Sequence, residues 1–204
     1  MTDDDLTAAM RELNVTIGVC GSVSAVAVPH IALWLKGALG ISKIHIVATA
    51  SATRLIGLPI LEASVDGQVA TDWVTSSAGR TTHVTIAARS DVLIVLPATA
   101  NFLGKVANGI ADDLLTTTVL AVACPVVIVP VMNEVMWMKA AVQRNVVTLR
   151  ADGYDVVEPK AGLSLATGTR EVGSMGDFRP VILAALTKAV AGHGPQDNPT
   201  EQGE

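Results

Sequence analysis

The sequence predicts an α/β protein: a doubly wound parallel sheet with helices on both faces, in three α/β/α layers. Three observations carry that prediction. Short β-branched runs recur along the chain, two of them are apolar throughout, as strands covered on both faces are, and the intervals carry apolar residues at spacings of three and four. Strands alternating with helices build right-handed βαβ units and therefore a parallel sheet.

In chain order, residues 15–20 (VTIGVC) read as the first strand, and the apolar periodicity of residues 23–39 as the helix after it. Residues 43–48 (KIHIVA) make a second strand and residues 51–62 a second helix. Residues 66–80 are rich in Ser, Thr, Gly and Asp and read as a loop over one sheet end. A short helical stretch opening at His83 leads into the continuously apolar run 92–96, a third strand. A helix over 102–122, a fourth strand at 126–129, a helix over 135–151 and a fifth strand at 154–157 follow. Residues 159–179 hold five glycines and little periodicity, with Met175 and Phe178 as apolar points, and read as a long mobile loop able to close over a ligand. Residues 181–191 form a last helix, and the tail at 193–204 is expected to be disordered. The reading is therefore one domain over 1–192 without internal repeats.

Composition narrows the function. Half of the 204 residues are hydrophobic and 16% charged, which supports a buried core and excludes general disorder. The net charge of −5 lacks the clustered basic residues that nucleic acid requires. No apolar stretch is long enough to cross a membrane, because the richest, residues 119–132, is broken by Pro125 and Pro130. The start, with Asp3, Asp4 and Asp5, shows no secretory signal, so a cytoplasmic location is expected. Cys20 and Cys124 sit in apolar surroundings outside any metal-ligand spacing and read as buried free thiols; no metal site is expected.

Ligands of open α/β sheets sit at the carboxyl ends of strands, so the strand-to-helix turns are the candidate site. In the first, Gly21 permits a tight turn, and Ser22 with the amides beyond Val23 can cradle a phosphate; a Ser-capped helix accounts for the same residues. In the second, Thr49 and Ser51 stand where nicotinamide-binding folds place a ribose-gripping carboxylate. The full glycine pattern of those folds is missing too. A mononucleotide held by hydroxyls fits better than a dehydrogenase. The third turn reads Pro97-Ala98-Thr99-Ala100-Asn101-Phe102 and the fourth Pro130-Val131-Met132-Asn133. Asn101 and Asn133 can cap helices or hydrogen-bond a ring edge or a substrate carboxylate. An isolated histidine such as His83 is more commonly structural than catalytic.

The ordered set Gly21-Ser22-Val23, Thr82-His83-Val84, Pro97-Ala-Thr-Ala-Asn101, Ala111-Asp112-Asp113-Leu114 and Pro130-Val-Met-Asn133-Glu-Val-Met-Trp137 resembles the homo-oligomeric flavin-containing cysteine decarboxylases, over residues 15–179. Two branches compete. The phosphopantothenoylcysteine decarboxylases of coenzyme A synthesis carry a cysteine in a late loop resembling ACGDxGxGAM. Here that stretch reads Leu165-Ala-Thr167-Gly168-Thr169-Arg170, without cysteine, and resembles the lantibiotic-type peptide decarboxylases, the mersacidin type in particular.

The resemblance implies a Rossmann-like, flavodoxin-like fold and FMN as cofactor, with FAD the alternative. It also implies oxidative decarboxylation of a C-terminal cysteine of a precursor peptide to an aminoenethiol. In that chemistry a hydride leaves the cysteine Cβ for the flavin, and the resulting thioaldehyde loses CO2. By the same carry-over His83 is the catalytic base and Asn133 holds the peptide carboxylate. Gly21, Ser22, Val23, Thr49, Ser51, Thr99, Ala100, Asn101, Phe102 and Val131 line the flavin. Thr167, Arg170 and Met175 belong to a loop clamping the peptide end. Sites lie between subunits of a trimer or a dodecamer built from trimers. A regulatory subunit that binds flavin without catalysis is a further alternative, against which both His83 and Asn133 argue.

Overall fold

The computed structural model describes residues 2–73, 82–163, 168–174 and 176–192. Along the chain run α1 (Asp3–Glu12), β1 (Val15–Val19), a 3-10 turn (Val23–Ala27), α2 (Val28–Leu39), β2 (Ile44–Ala48), α3 (Ala50–Ile56), α4 (Leu58–Ser64) and β3 (Val69–Ala70). Then come α5 (Thr82–Arg89), β4 (Val92–Ala98), α6 (Ala100–Ala107), α7 (Leu114–Ala121), β5 (Val126–Pro130), α8 (Glu134–Trp137), α9 (Ala140–Ala151) and β6 (Asp155–Val156). A hairpin, β7 (Lys160–Leu163) with β8 (Arg170–Ser174), precedes α10 (Arg179–Gly192).

Six strands form one parallel sheet in the order β3-β2-β1-β4-β5-β6. The winding direction reverses between β1 and β4, which is where such sheets open a ligand crevice. Without the two-residue β3, the remaining five strands follow the flavodoxin order. Every residue of β1, β4 and β5 is buried. Their alternation feeds two cores: Val92, Ile94 and Leu96 face one, and Leu93 and Val95 the other. The first core is completed by α1, α2, α4 and α10 through Met10, Ile31, Leu35, Leu61, Ile182 and Leu186. The second takes Ile86 of α5, Leu103 of α6, Leu115 of α7 and Val146 and Leu149 of α9. Full burial of such a side chain contributes about 1.5–3 kcal/mol, which is why continuous apolar runs become central strands.

Several predicted helices are divided, each at a residue with its own conformational demand. The 51–62 helix breaks at Gly57, whose φ of 70° is left-handed. The 102–122 helix breaks at Gly109 (φ 65°), and α7 restarts at Asp113, whose side chain and that of Thr116 close a capping box. The 135–151 helix is interrupted at Lys139, which is extended. The 23–39 helix opens as a 3-10 turn before Pro29 enters at the start of α2. The structure also adds α1, whose Thr2 and Asp5 form a capping box that the sequence reading passed over.

Two loop expectations are corrected. Within 66–80, Val69 and Ala70 pair parallel with Ile46 and Val47 as an edge strand; residues 74–80 lie outside the described residues. Within 159–179, expected as a long mobile loop, residues 160–163 and 170–174 pair as the antiparallel β7–β8 hairpin; residues 164–167 and 175 lie outside the described residues. Its strands are short and glycine-bearing, so their period is invisible until they pair. The tail at 193–204 lies outside the described residues. No helix among the described residues is long and apolar enough to cross a membrane.

Candidate functional site

Four turns stand side by side at the carboxyl ends of β1, β2, β4 and β5, and in each a small polar side chain caps the helix that follows. Ser22 accepts from the Ser24 amide at 3.3 Å and Thr49 from the Ala52 amide at 3.3 Å. Thr99 accepts from the Phe102 amide at 3.3 Å, and Asn133 Oδ1 from the Met136 amide at 2.8 Å. Capping is why Ser, Thr and Asn stand here, and it fixes these polar atoms at the sheet edge. The turns are tied together by main-chain bonds. Cys20 N donates to Pro97 O (3.1 Å), Thr49 N to Val19 O (2.9 Å) and Val131 N to Ala98 O (2.9 Å). Gly21 is a true requirement of this assembly: a Cβ there would lie 2.5 Å from Ser51 Cβ and 2.6 Å from its Oγ.

The first three turns enclose a cavity of about 260 Å³ lined by Cys20, Thr49, Ala50, Ser51, Arg54, Thr99, Asn101, Phe102, Lys105 and Asp113. The expected residues Thr49, Ser51, Thr99, Asn101 and Phe102 are thus brought together. Gly21 packs on Ser51 beside it, Ser22, Val23 and Ala100 belong to the same three turns without lining the cavity, and Val131 lies in the fourth turn. The Thr49 and Ser51 hydroxyls lie 3.1 Å apart and share a hydrogen bond.

Sequence reading assigned no role to Cys20, Arg54, Lys105 or Asp113. Arg54 and Lys105 had a findable signal: each lies four residues beyond a cavity-lining residue of its helix, Ala50 and Asn101, and so on the same face. Lys105 Nζ bridges Asp112 (2.7 Å) and Asp113 (3.3 Å). The bond to Asp112 raises the Lys105 pKa and holds that carboxyl below its usual range. Burial pushes the Cys20 thiol up to about 12 and the Cys124 thiol up to about 11, so both stay protonated near neutrality. Both are free, but Cys124 is only half-buried, at the opposite end of the sheet, which corrects the expectation of full burial.

His83 does not line the cavity. It sits in the first turn of α5, half-buried, with its Nδ1 fully buried and without a hydrogen-bond partner among the described residues. Trp73, 48% exposed, meets its ring edge-on, with centroids 5.4 Å apart and planes at 80°. A buried imidazole nitrogen with no partner is rare enough in a folded chain to need a reason. Asn133 is exposed at the mouth of the fourth turn, and β8 of the hairpin lies against α8, the helix that Asn133 caps. Arg170 is the first residue of β8, whereas Thr167 and Met175 lie outside the described residues. Among the described residues no group of three His, Cys, Asp or Glu side chains can hold a metal ion.

Comparison with known proteins places this arrangement. The mersacidin decarboxylase of Bacillus sp. (strain HIL-Y85/54728) is 36% identical over 164 residues, covering 79% of this chain and 82% of that protein. The crystal structure of the FMN-dependent cysteine decarboxylase SpaF is 51% identical, covers 88% of this chain and 98% of that one, and superposes with a TM-score of 0.79. That of TvaF, an FMN-dependent cysteine decarboxylase from thioviridamide biosynthesis, is 42% identical over 87% of this chain and 98% of its own, with a TM-score of 0.73. The model of the family named Flavoprotein matches residues 5–189. With its hydroxyl-lined strand ends and these matches along nearly its whole length, the chain belongs to the Flavoprotein family, with FMN-dependent cysteine decarboxylases among its close homologues.

Proposed function

We propose that this protein is an FMN-dependent oxidative decarboxylase that converts the C-terminal cysteine of a ribosomally made precursor peptide into an aminoenethiol. The observation that carries the reading is the correspondence with SpaF, at 51% identity over 88% of this chain and 98% of that one, in a chain whose strand ends gather the cavity described above. The residues fit a flavin mononucleotide. Hydroxyls and helix-opening amides at three adjacent turns suit a phosphate and a ribityl chain, and the apolar residues Val23 and Val131 flank the same edge. Bound flavin supplies a two-electron oxidant for the carbon that carries sulfur.

The remaining work falls to side chains of this protein. Asn133, exposed beside the hairpin, binds the peptide carboxylate through its amide without adding charge, so that the departing CO2 is not held by an ion pair. His83 is the base, placed in the first turn of α5 with its ring met edge-on by Trp73. Gly21, Ser22, Val23, Thr49, Ser51, Thr99, Ala100, Asn101, Phe102 and Val131 form the flavin wall. The hairpin, with Arg170 and the neighbouring Thr167 and Met175, clamps the end of the peptide. Because His83 does not line its own chain's cavity, it serves the cavity of a neighbouring subunit in a trimer or a dodecamer, in the cytoplasm.

The test is to incubate the purified yellow protein with peptides ending in cysteine and weigh the products. Loss of CO2 and two hydrogens, about 46 Da, is expected from the flavin stoichiometry. Loss of CO2 without the hydrogens would instead indicate phosphopantothenoylcysteine-type chemistry, and unchanged masses across a broad peptide set would refute the enzyme.

A further inference from the structure

Two cations line the cavity, Arg54 and Lys105, and their situations differ. Lys105 is already held by Asp112 and Asp113, so that cluster carries 1 − 2 = −1 and offers nothing to an incoming anion. Arg54 stands in the last turn of α3, exposed, and makes no hydrogen bond or ion pair with the described residues. Among the described residues it is therefore the uncompensated positive charge of the cavity. Beside it are the hydroxyls of Thr49 and Ser51, which share one hydrogen between them and keep the other to donate.

We propose that Arg54 binds the phosphate of the mononucleotide and makes this site choose FMN over its dephosphorylated form, riboflavin. The inference rests on the flavin reading above and deepens it. A phosphomonoester carries a charge of about −1.5 to −2 at neutral pH. Hydroxyls can satisfy its oxygens but cannot balance that charge, and the Lys105 cluster, being net negative, opposes it. Arg54 supplies the balance, and a guanidinium can do so with two parallel N–H donors, which an ammonium cannot. Without Arg54 the charged lining is Lys105 against Asp113, 1 − 1 = 0, and a dianion would meet no net positive charge. Riboflavin, which has no phosphate, would be indifferent to the change.

The experiment strips flavin from the full-length protein and titrates FMN and, separately, riboflavin, following quenching of flavin fluorescence. Arg54→Ala is expected to weaken FMN about 10- to 100-fold, the range of a hydrogen bond to a charged group, while riboflavin affinity stays within about twofold. Arg54→Lys, which keeps the charge and loses the fork, falls between. Riboflavin binding doubles as the control for folding. Equal losses for both ligands, or unchanged FMN affinity in Arg54→Ala, would overturn the role of Arg54 while leaving the flavin reading intact. If the unmutated protein took up neither ligand, the flavin reading itself would fall, and this role with it.

Discussion

His83 shows how a single residue separates structure from function. A core histidine of purely structural purpose normally gives both ring nitrogens a partner or leaves them in water, but here Nδ1 is buried and has no partner among the described residues. Trp73 packs edge-on against the ring and helps hold it in place. His83→Asn is accordingly expected to retain flavin, seen as unchanged visible absorbance, and to lower peptide turnover at least about 100-fold, the usual worth of a positioned base. Undiminished turnover would remove the residue from its role. From sequence, His83 stood out through the motif around it, whereas Trp73 did not, because it sits in a polar stretch without a hydrophobic period. Arg54 and Lys105 were missed for a related reason. A cation on an exposed helix face is ordinarily solvated, and the i+4 spacing of these two becomes telling once residues of α3 and α6 are seen to line one cavity.

The elements that build the site are the short turns, and their tolerance is small. The first and second turns touch through Gly21 and Ser51 at distances no Cβ can share, so Gly21→Ala must push the start of α3 away from β1. Overpacking of that kind costs about 1–3 kcal/mol, and in a chain of this size it lowers the melting temperature by several degrees. Calorimetry and a flavin titration check both consequences, since FMN affinity should fall with stability; an unshifted melting curve would show that the turn has slack. Strand positions followed well from the sequence, because burial on both faces demands continuous apolar runs such as residues 92–96 and 126–129. Helix limits followed less well. Periodicity continues through Gly57, Gly109 and Lys139, while the backbone does not, and a left-handed or extended residue overrides the apolar pattern.

At the scale of the molecule, the separation of His83 from its own chain's cavity makes assembly part of the proposed chemistry. Two inactive variants, His83→Asn and Asn133→Ala, mixed at equal amounts and allowed to exchange subunits, are expected to recover activity at roughly a quarter of the sites, as random pairing across a shared interface requires. No recovery, despite subunit exchange verified by native mass spectrometry, would place each complete site within one chain. The sequence by itself determined the alternation of strands and helices, the hydroxyl and amide caps at the strand ends and the membership suggested by their order, because hydrophobic period and helix capping act over a few residues. The tertiary structure decided which of those caps share a cavity, that Arg54 is its cation without an ion-pair partner among the described residues, that His83 stands apart from it and that the late hairpin lies on α8. Those facts come from packing between segments far apart in the chain, where the twist and order of the sheet set the neighbours and no local pattern records them.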